Sequence, residues 1–76
     1  MLEAFVLVQN DVGTGAKVVE EISAVPGVRL CQTVTGPYDA IARTTTDDLE
    51  ALGALVDQIQ RIPGVTRTLT CPIIRI

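Results

Sequence analysis

Chemically active side chains are scarce in this 76-residue chain. There is no histidine, there are two cysteines (Cys31 and Cys71), and the single tyrosine, Tyr38, stands beside an aspartate, Asp39. That pair follows Gly36-Pro37 inside the stretch TVTGPYDAIA, residues 33–42. Gly-Pro punctuates a turn. Amides of a turn can hold a carboxylate, and an aspartate can pair with an ammonium group. Gly36, Tyr38 and Asp39 therefore offer a complement to both charged ends of an amino acid, with the ring as an apolar wall. The plainer alternative is a surface turn in which Asp39 tolerates the loop and Tyr38 fills a strand. Thr66, Thr68 and Thr70 recur with period two, which places them on one side of a strand. They are either β-branched strand filling or hydroxyls lining the same pocket or a neighbouring one.

The other constellations carry less. Without histidine there is no imidazole base or ligand, and two cysteines far apart in the chain make no zinc site. GTG at residues 13–15 lacks the third glycine of a dinucleotide fingerprint and reads as a loop before a helix. Asp47-Asp48 looks like a carboxylate pair, but it stands where a helix cap belongs. We expect no catalytic residues, no metal and no cofactor. The formal net charge is −3, and the six basic residues are scattered with no aromatics among them, which argues against a nucleic-acid surface. No apolar run approaches the ~20 residues of a membrane helix, and Met1 runs straight into a strand-like segment without a leader pattern. Cys31 and Cys71 both stand in apolar contexts, so two buried free thiols are expected, which fits a reducing cytoplasm.

The elements that must position the turn follow from periodicity. Residues 2–8 are short, apolar and β-rich, so they predict a strand. Thr14 or Asp11 caps a helix running to about residue 25, with Val18, Ile22 and Val25 on one stripe. Residues 28–35 alternate as a strand, and residues 38–46 form the next. Asp47 caps a second helix with Leu49, Leu52, Val56 and Ile59 on one face, ended by Pro63-Gly64. Residues 65–76 form the last strand, where Pro72 calls for an edge or a bulge.

The order is βαββαβ in a single domain over residues 1–76. An internal echo supports it: VPGVRLCQT at 25–33 resembles IPGVTRTLT at 62–70. Two such halves with right-handed crossovers give an α+β ferredoxin-like fold, an antiparallel sheet of order 4-1-3-2 with both helices on one face. Cys31 and Cys71 then lie at opposite edges, roughly 14 Å apart by strand spacing, too far for an intrachain disulfide. Hydrophobic residues make up 47% of the chain, more apolar surface than so small a domain can hide. The first strand is apolar on both sides. The last offers Val65, Leu69, Cys71 and Ile73 on one side and Ile74 and Ile76 on the other. A dimer packed sheet to sheet is expected.

Taken together, Pro26-Gly27-Val28, Val34-Thr35-Gly36-Pro37-Tyr38-Asp39 and Ile62-Pro63-Gly64-Val65 followed by Thr66-Arg67-Thr68-Leu69-Thr70 resemble the regulatory half of the Lrp/AsnC transcription regulators. That half is the RAM (regulation of amino-acid metabolism) domain, and the resemblance covers nearly the whole chain. It implies sheet-to-sheet dimers, rings of dimers that are commonly octamers, and amino-acid effectors bound between dimers near the Gly-x-x-Asp turn. The effector residues expected here are Gly36, Tyr38, Asp39, Thr68 and Thr70. Full-length relatives carry an N-terminal helix-turn-helix, whereas this sequence opens on the first strand. A stand-alone domain that does not bind DNA itself is expected, with a full-length Lrp/AsnC regulator as a possible partner. Two other readings stay open: a small dimeric α+β barrel enzyme of the monooxygenase or isomerase type, and an assembly module that only modulates a full-length regulator.

Overall fold

Ala4, Val6 and Val8 are fully buried while Phe5, between them, is 41% exposed, the period-two signature of a strand covered on one face. In the computed structural model, which describes residues 1–75, that strand is β1 (Leu2–Asn10). It is followed by α1 (Gly15–Ser23), β2 (Val28–Thr33), β3 (Ala40–Thr46), α2 (Leu49–Gln60) and β4 (Val65–Pro72). The sheet runs β2-β3-β1-β4 with every neighbouring pair antiparallel. This is the expected ferredoxin-like order, read from the other edge. Ile76, assigned above to the last strand, lies outside the described residues.

Element ends differ from expectation for local reasons. The first helix stops at Ser23 because the amides of Ala24 and Val25 turn inward to Glu21 and Ile22 carbonyls, a tightened last turn. The second is capped by Asp48 and not Asp47: Asp48 is extended and its Oδ1 accepts from the Ala51 amide at 2.8 Å. Leu49 is consequently 68% exposed, and Leu55 takes the core position beside Leu52 and Ile59.

The helix-covered face holds the core. Small residues on the two central strands, Ala4, Ala40 and Ala42, let Val18, Ile22, Leu55 and Ile59 approach Val6 and Val8. Each large aliphatic side chain fully buried there contributes about 1.5–3 kcal/mol. Thr44 is buried among them, and its hydroxyl donates to the Ala4 carbonyl at 3.0 Å, so that hydroxyl is not stranded. Gly53 stands in the middle of α2, where glycine costs ~1 kcal/mol against alanine, yet an added Cβ would meet nothing within 4 Å.

A bulge changes the faces of β4. Gln9 pairs with Arg67 but Asn10 pairs with Val65, so Thr66 is the extra residue. Val65 therefore packs against the core, while Leu69 and Cys71 oppose Leu7 and Phe5 on the open face. The expectation that Val65, Leu69 and Cys71 share a side is corrected by that one inserted residue. The open face carries Phe5, Leu30 and Leu69 at 41–52% exposure.

Candidate functional site

The turn between β2 and β3 is held from outside by the end of β1. Val34 donates to the Asp39 carbonyl at 3.0 Å, closing the loop, and Asp39 donates to the Val8 carbonyl at 2.8 Å. Asn10 donates its amide to Asp39 Oδ2 at 2.9 Å, so a side chain takes over as acceptor where the β1–β3 ladder stops. Gln9 Nε2 donates to the Pro37 carbonyl at 2.8 Å. Gly36 adopts φ of +119° with open space around it.

What the turn leaves over matters more than what it uses. Among the described residues, the amides of Thr35, Gly36 and Tyr38 donate to no protein acceptor, and Asp39 Oδ1 accepts from no protein donor. Thr35, Gly36 and Pro37 are exposed, and Tyr38 and Asp39 are half-buried. A carboxylate can accept about four hydrogen bonds, so the one from Asn10 does not exhaust Asp39. Free amide donors therefore lie within a few residues of a free carboxylate oxygen.

Asp39 is also structural. A surface turn with an idle carboxylate was one expectation. Instead, this side chain joins β1 to the start of β3. Gln9 and Asn10 were missed by sequence reasoning, although two amide residues closing an apolar strand were a visible signal. Asn10 donates from Nδ2 to Asp11 O at 3.0 Å and Thr14 Oγ1 at 3.3 Å, while its buried Oδ1 has no partner.

The five expected effector residues do not all converge. Gly36, Tyr38 and Asp39 form the turn. Thr68 and Thr70 oppose Val8 and Val6, and so belong to the helix-covered face. Thr68 Oγ1 accepts from Gln60 Nε2 at 2.8 Å, and Thr70 lines a groove of about 480 Å³ between α2 and β4. Thr66, displaced by the bulge, donates its hydroxyl to the Gln9 carbonyl at 3.2 Å.

Both cysteines are free, on the two edge strands. Cys31 opposes Ala42 and is half-buried, and burial pushes its thiol pKa up. Cys71 is exposed, against the expectation of two buried thiols. At the end of the open face, Glu3 pairs with Arg43 at 3.1 Å and with Arg75, and Ile73 donates to the Glu3 carbonyl at 2.9 Å. No group of three or more potential metal ligands occurs among the described residues, and no helix of the described chain is long and apolar enough to cross a membrane.

Comparison with known proteins agrees with this fold. The model of the family described as the Lrp/AsnC ligand binding domain matches residues 3–76. The HTH-type transcriptional regulator FL11 of Pyrococcus horikoshii is 31% identical over 95% of this chain and 48% of its own length. A homocitrate synthase of Sulfurisphaera tokodaii is 29% identical over 97% of this chain and 16% of its own. The chain thus spans less than half of either curated relative. The crystal structure of TTHA0845 from Thermus thermophilus superposes with a TM-score of 0.94 at 36% identity, covering 100% of this chain and 96% of that one.

Proposed function

The chain belongs to the Lrp/AsnC ligand-binding domain family, and from that premise we propose that it binds a small amino acid at the 34–39 turn and acts as an oligomerising regulatory module. The observation that carries this reading is the pairing of free donors with a free acceptor. The unpartnered amides of Thr35, Gly36 and Tyr38 suit an α-carboxylate, and Asp39 Oδ1 suits an α-ammonium. A zwitterion loses its hydration at both ends on binding, so a site for it must answer both. Gly36, Tyr38 and Asp39 are the binding residues in this reading. Thr68 and Thr70 face α2 and stand outside it.

A similar segment occurs in a transcription regulator and in an enzyme. What those two have in common is neither DNA binding nor catalysis, which favours a sensing part. Homocitrate synthase chemistry does not carry over on a match to 16% of that enzyme. The monooxygenase or isomerase reading has only Asp39 to serve as a general base at this turn, and no second titratable side chain hydrogen-bonds to it, so binding is the reading favoured.

The exposed Phe5, Leu30 and Leu69 on one sheet face suit a second copy packed sheet to sheet, and a ring of such dimers would bring turns to subunit seams. Through such assemblies, or through mixed ones with a full-length regulator, an effector would reach transcription in the cytoplasm. A thermal-shift screen across the amino acids, read beside light scattering, tests both parts. A rise in Tm with one or a few amino acids and a mass of two chains or more are expected. A monomer indifferent to every amino acid would overturn the reading.

A further inference from the structure

The proposed site leaves one charged group beside it without a partner. Arg67 opposes Gln9 across the β1–β4 ladder, and directly opposed residues stand on one face of a sheet. Alternation from Phe5 and Leu7 puts that face on the open side. Gln9 spans from there to the turn, because its Nε2 donates to the Pro37 carbonyl at 2.8 Å. Arg67 is exposed. Among the described residues its guanidinium joins no ion pair and no side-chain hydrogen bond. Neither Asp39 nor Asp11, just past the end of β1, pairs with it.

The sign of this face sets it apart from the rest of the chain. Arg43 and Arg75 share the single carboxylate of Glu3, and Arg67 adds a third cation, whereas the chain as a whole carries −3. The open side is therefore where this acidic protein suits an anion. Two strand spacings, roughly 10 Å, separate Arg67 on β4 from the start of β3, where Asp39 stands. The α-ammonium and α-carboxylate of an amino acid share one carbon, so both are taken up at the turn, by Asp39 Oδ1 and the free amides. What can extend from there across Gln9 is the ligand's own side chain, met by the long arginine stem.

We propose that Arg67 is a specificity residue of the turn site, and that the amino acid bound there carries an acidic side chain, with glutamate suiting the span better than the shorter aspartate. This inference rests on the amino-acid reading of the turn and adds the class of ligand to it. Glutamate would leave no charge unanswered: its ammonium meets Asp39, its α-carboxylate the amides of Thr35, Gly36 and Tyr38, and its second carboxylate the fork of Arg67. A neutral side chain leaves the guanidinium in water and gains nothing from it. A cationic side chain meets like charge, which is discrimination by repulsion.

The test is titration calorimetry with glutamate, its uncharged isostere glutamine, and lysine. Wild type should bind glutamate about fivefold or more tighter than glutamine and lysine more weakly than either, with the gap narrowing as salt screens the pair. Arg67→Gln, at an exposed position, should leave Tm unchanged. It should bring glutamate down to the affinity of glutamine and leave glutamine itself unaffected, which a merely structural arginine would not do. Arg67→Glu should reverse the order and favour lysine. Equal binding of glutamate and glutamine by wild type would overturn the inference while leaving the turn standing as an amino-acid site. So would an equal loss of both ligands in Arg67→Gln, which would assign the guanidinium to the α-carboxylate. Failure of every amino acid to bind would remove the site itself, and this inference with it.

Discussion

Two glycine turns of this molecule look alike in sequence and differ in their accounting. At Pro26-Gly27 the turn is tied into the fold and packed under a core side chain. Gly27 accepts from Thr45 at 2.8 Å, Val28 donates to Val25, and a Cβ on Gly27 would lie 2.7 Å from Leu55 Cδ1. At Gly36-Pro37 the backbone has room on all sides, and three amides and a carboxylate oxygen are left without protein partners. The first turn is scaffold, joining β2 to the end of β3 beneath a core side chain. The second is closed only at its ends, by Val34, Asp39 and the Gln9–Asn10 pair. A turn crowded by a core side chain leaves a ligand no room. One held rigid at its ends with its middle unengaged offers a preorganised site.

The largest effect expected from this contrast is that of Gly27→Ala. A left-handed φ of +97° and overlap with Leu55 act together, so urea denaturation should show a loss of about 2–4 kcal/mol. Gly36→Ala meets the same backbone objection without the overlap and should lose only about 1–2 kcal/mol, while weakening the bound amino acid. Equal losses at the two glycines would break the distinction. Asp39→Asn keeps an acceptor for the Asn10 amide but removes its charge, so the stability loss should be about 1 kcal/mol. Smaller again is Thr68→Val, which removes the exposed Gln60 contact and should change stability by less than about 0.5 kcal/mol and leave amino-acid affinity alone. An affinity lost with Thr68 would return Thr68 to the site. The cysteines report on the faces: burial raises the Cys31 thiol pKa, so less of it is thiolate near neutral pH. Alkylation timed by mass spectrometry should reach Cys71 first in dilute protein and slow at Cys71 as the chains associate.

The strand order, both Pro-Gly turns and the aliphatic stripe of α1 were legible because each follows from local periodicity or from glycine and proline punctuation. Thr68 and Thr70 fall on the helix-covered face beside Val65 because period two holds only within an unbroken ladder, and the unpaired Thr66 resets the phase of β4. Asp47 and Asp48 are equal candidates as caps in sequence. The extended backbone of Asp48, whose side chain accepts from Ala51, decides between them, and Leu55, not Leu49, enters the core. Tyr38-Asp39 drew notice as a turn with surplus chemistry, and the turn does have it. Its anchor on Asn10, 29 positions away in the chain, leaves no local trace.

The central claim is that the surplus groups of the 34–39 turn hold an amino acid, and titration calorimetry on wild type and Asp39→Asn tests it most directly, using the amino acid selected by the thermal-shift screen. Removing the charge should cost a charge-assisted hydrogen bond of about 1.5–3 kcal/mol, raising the Kd roughly 10- to 150-fold in a protein that circular dichroism shows to be folded. Equal affinities in two folded proteins would contradict the claim.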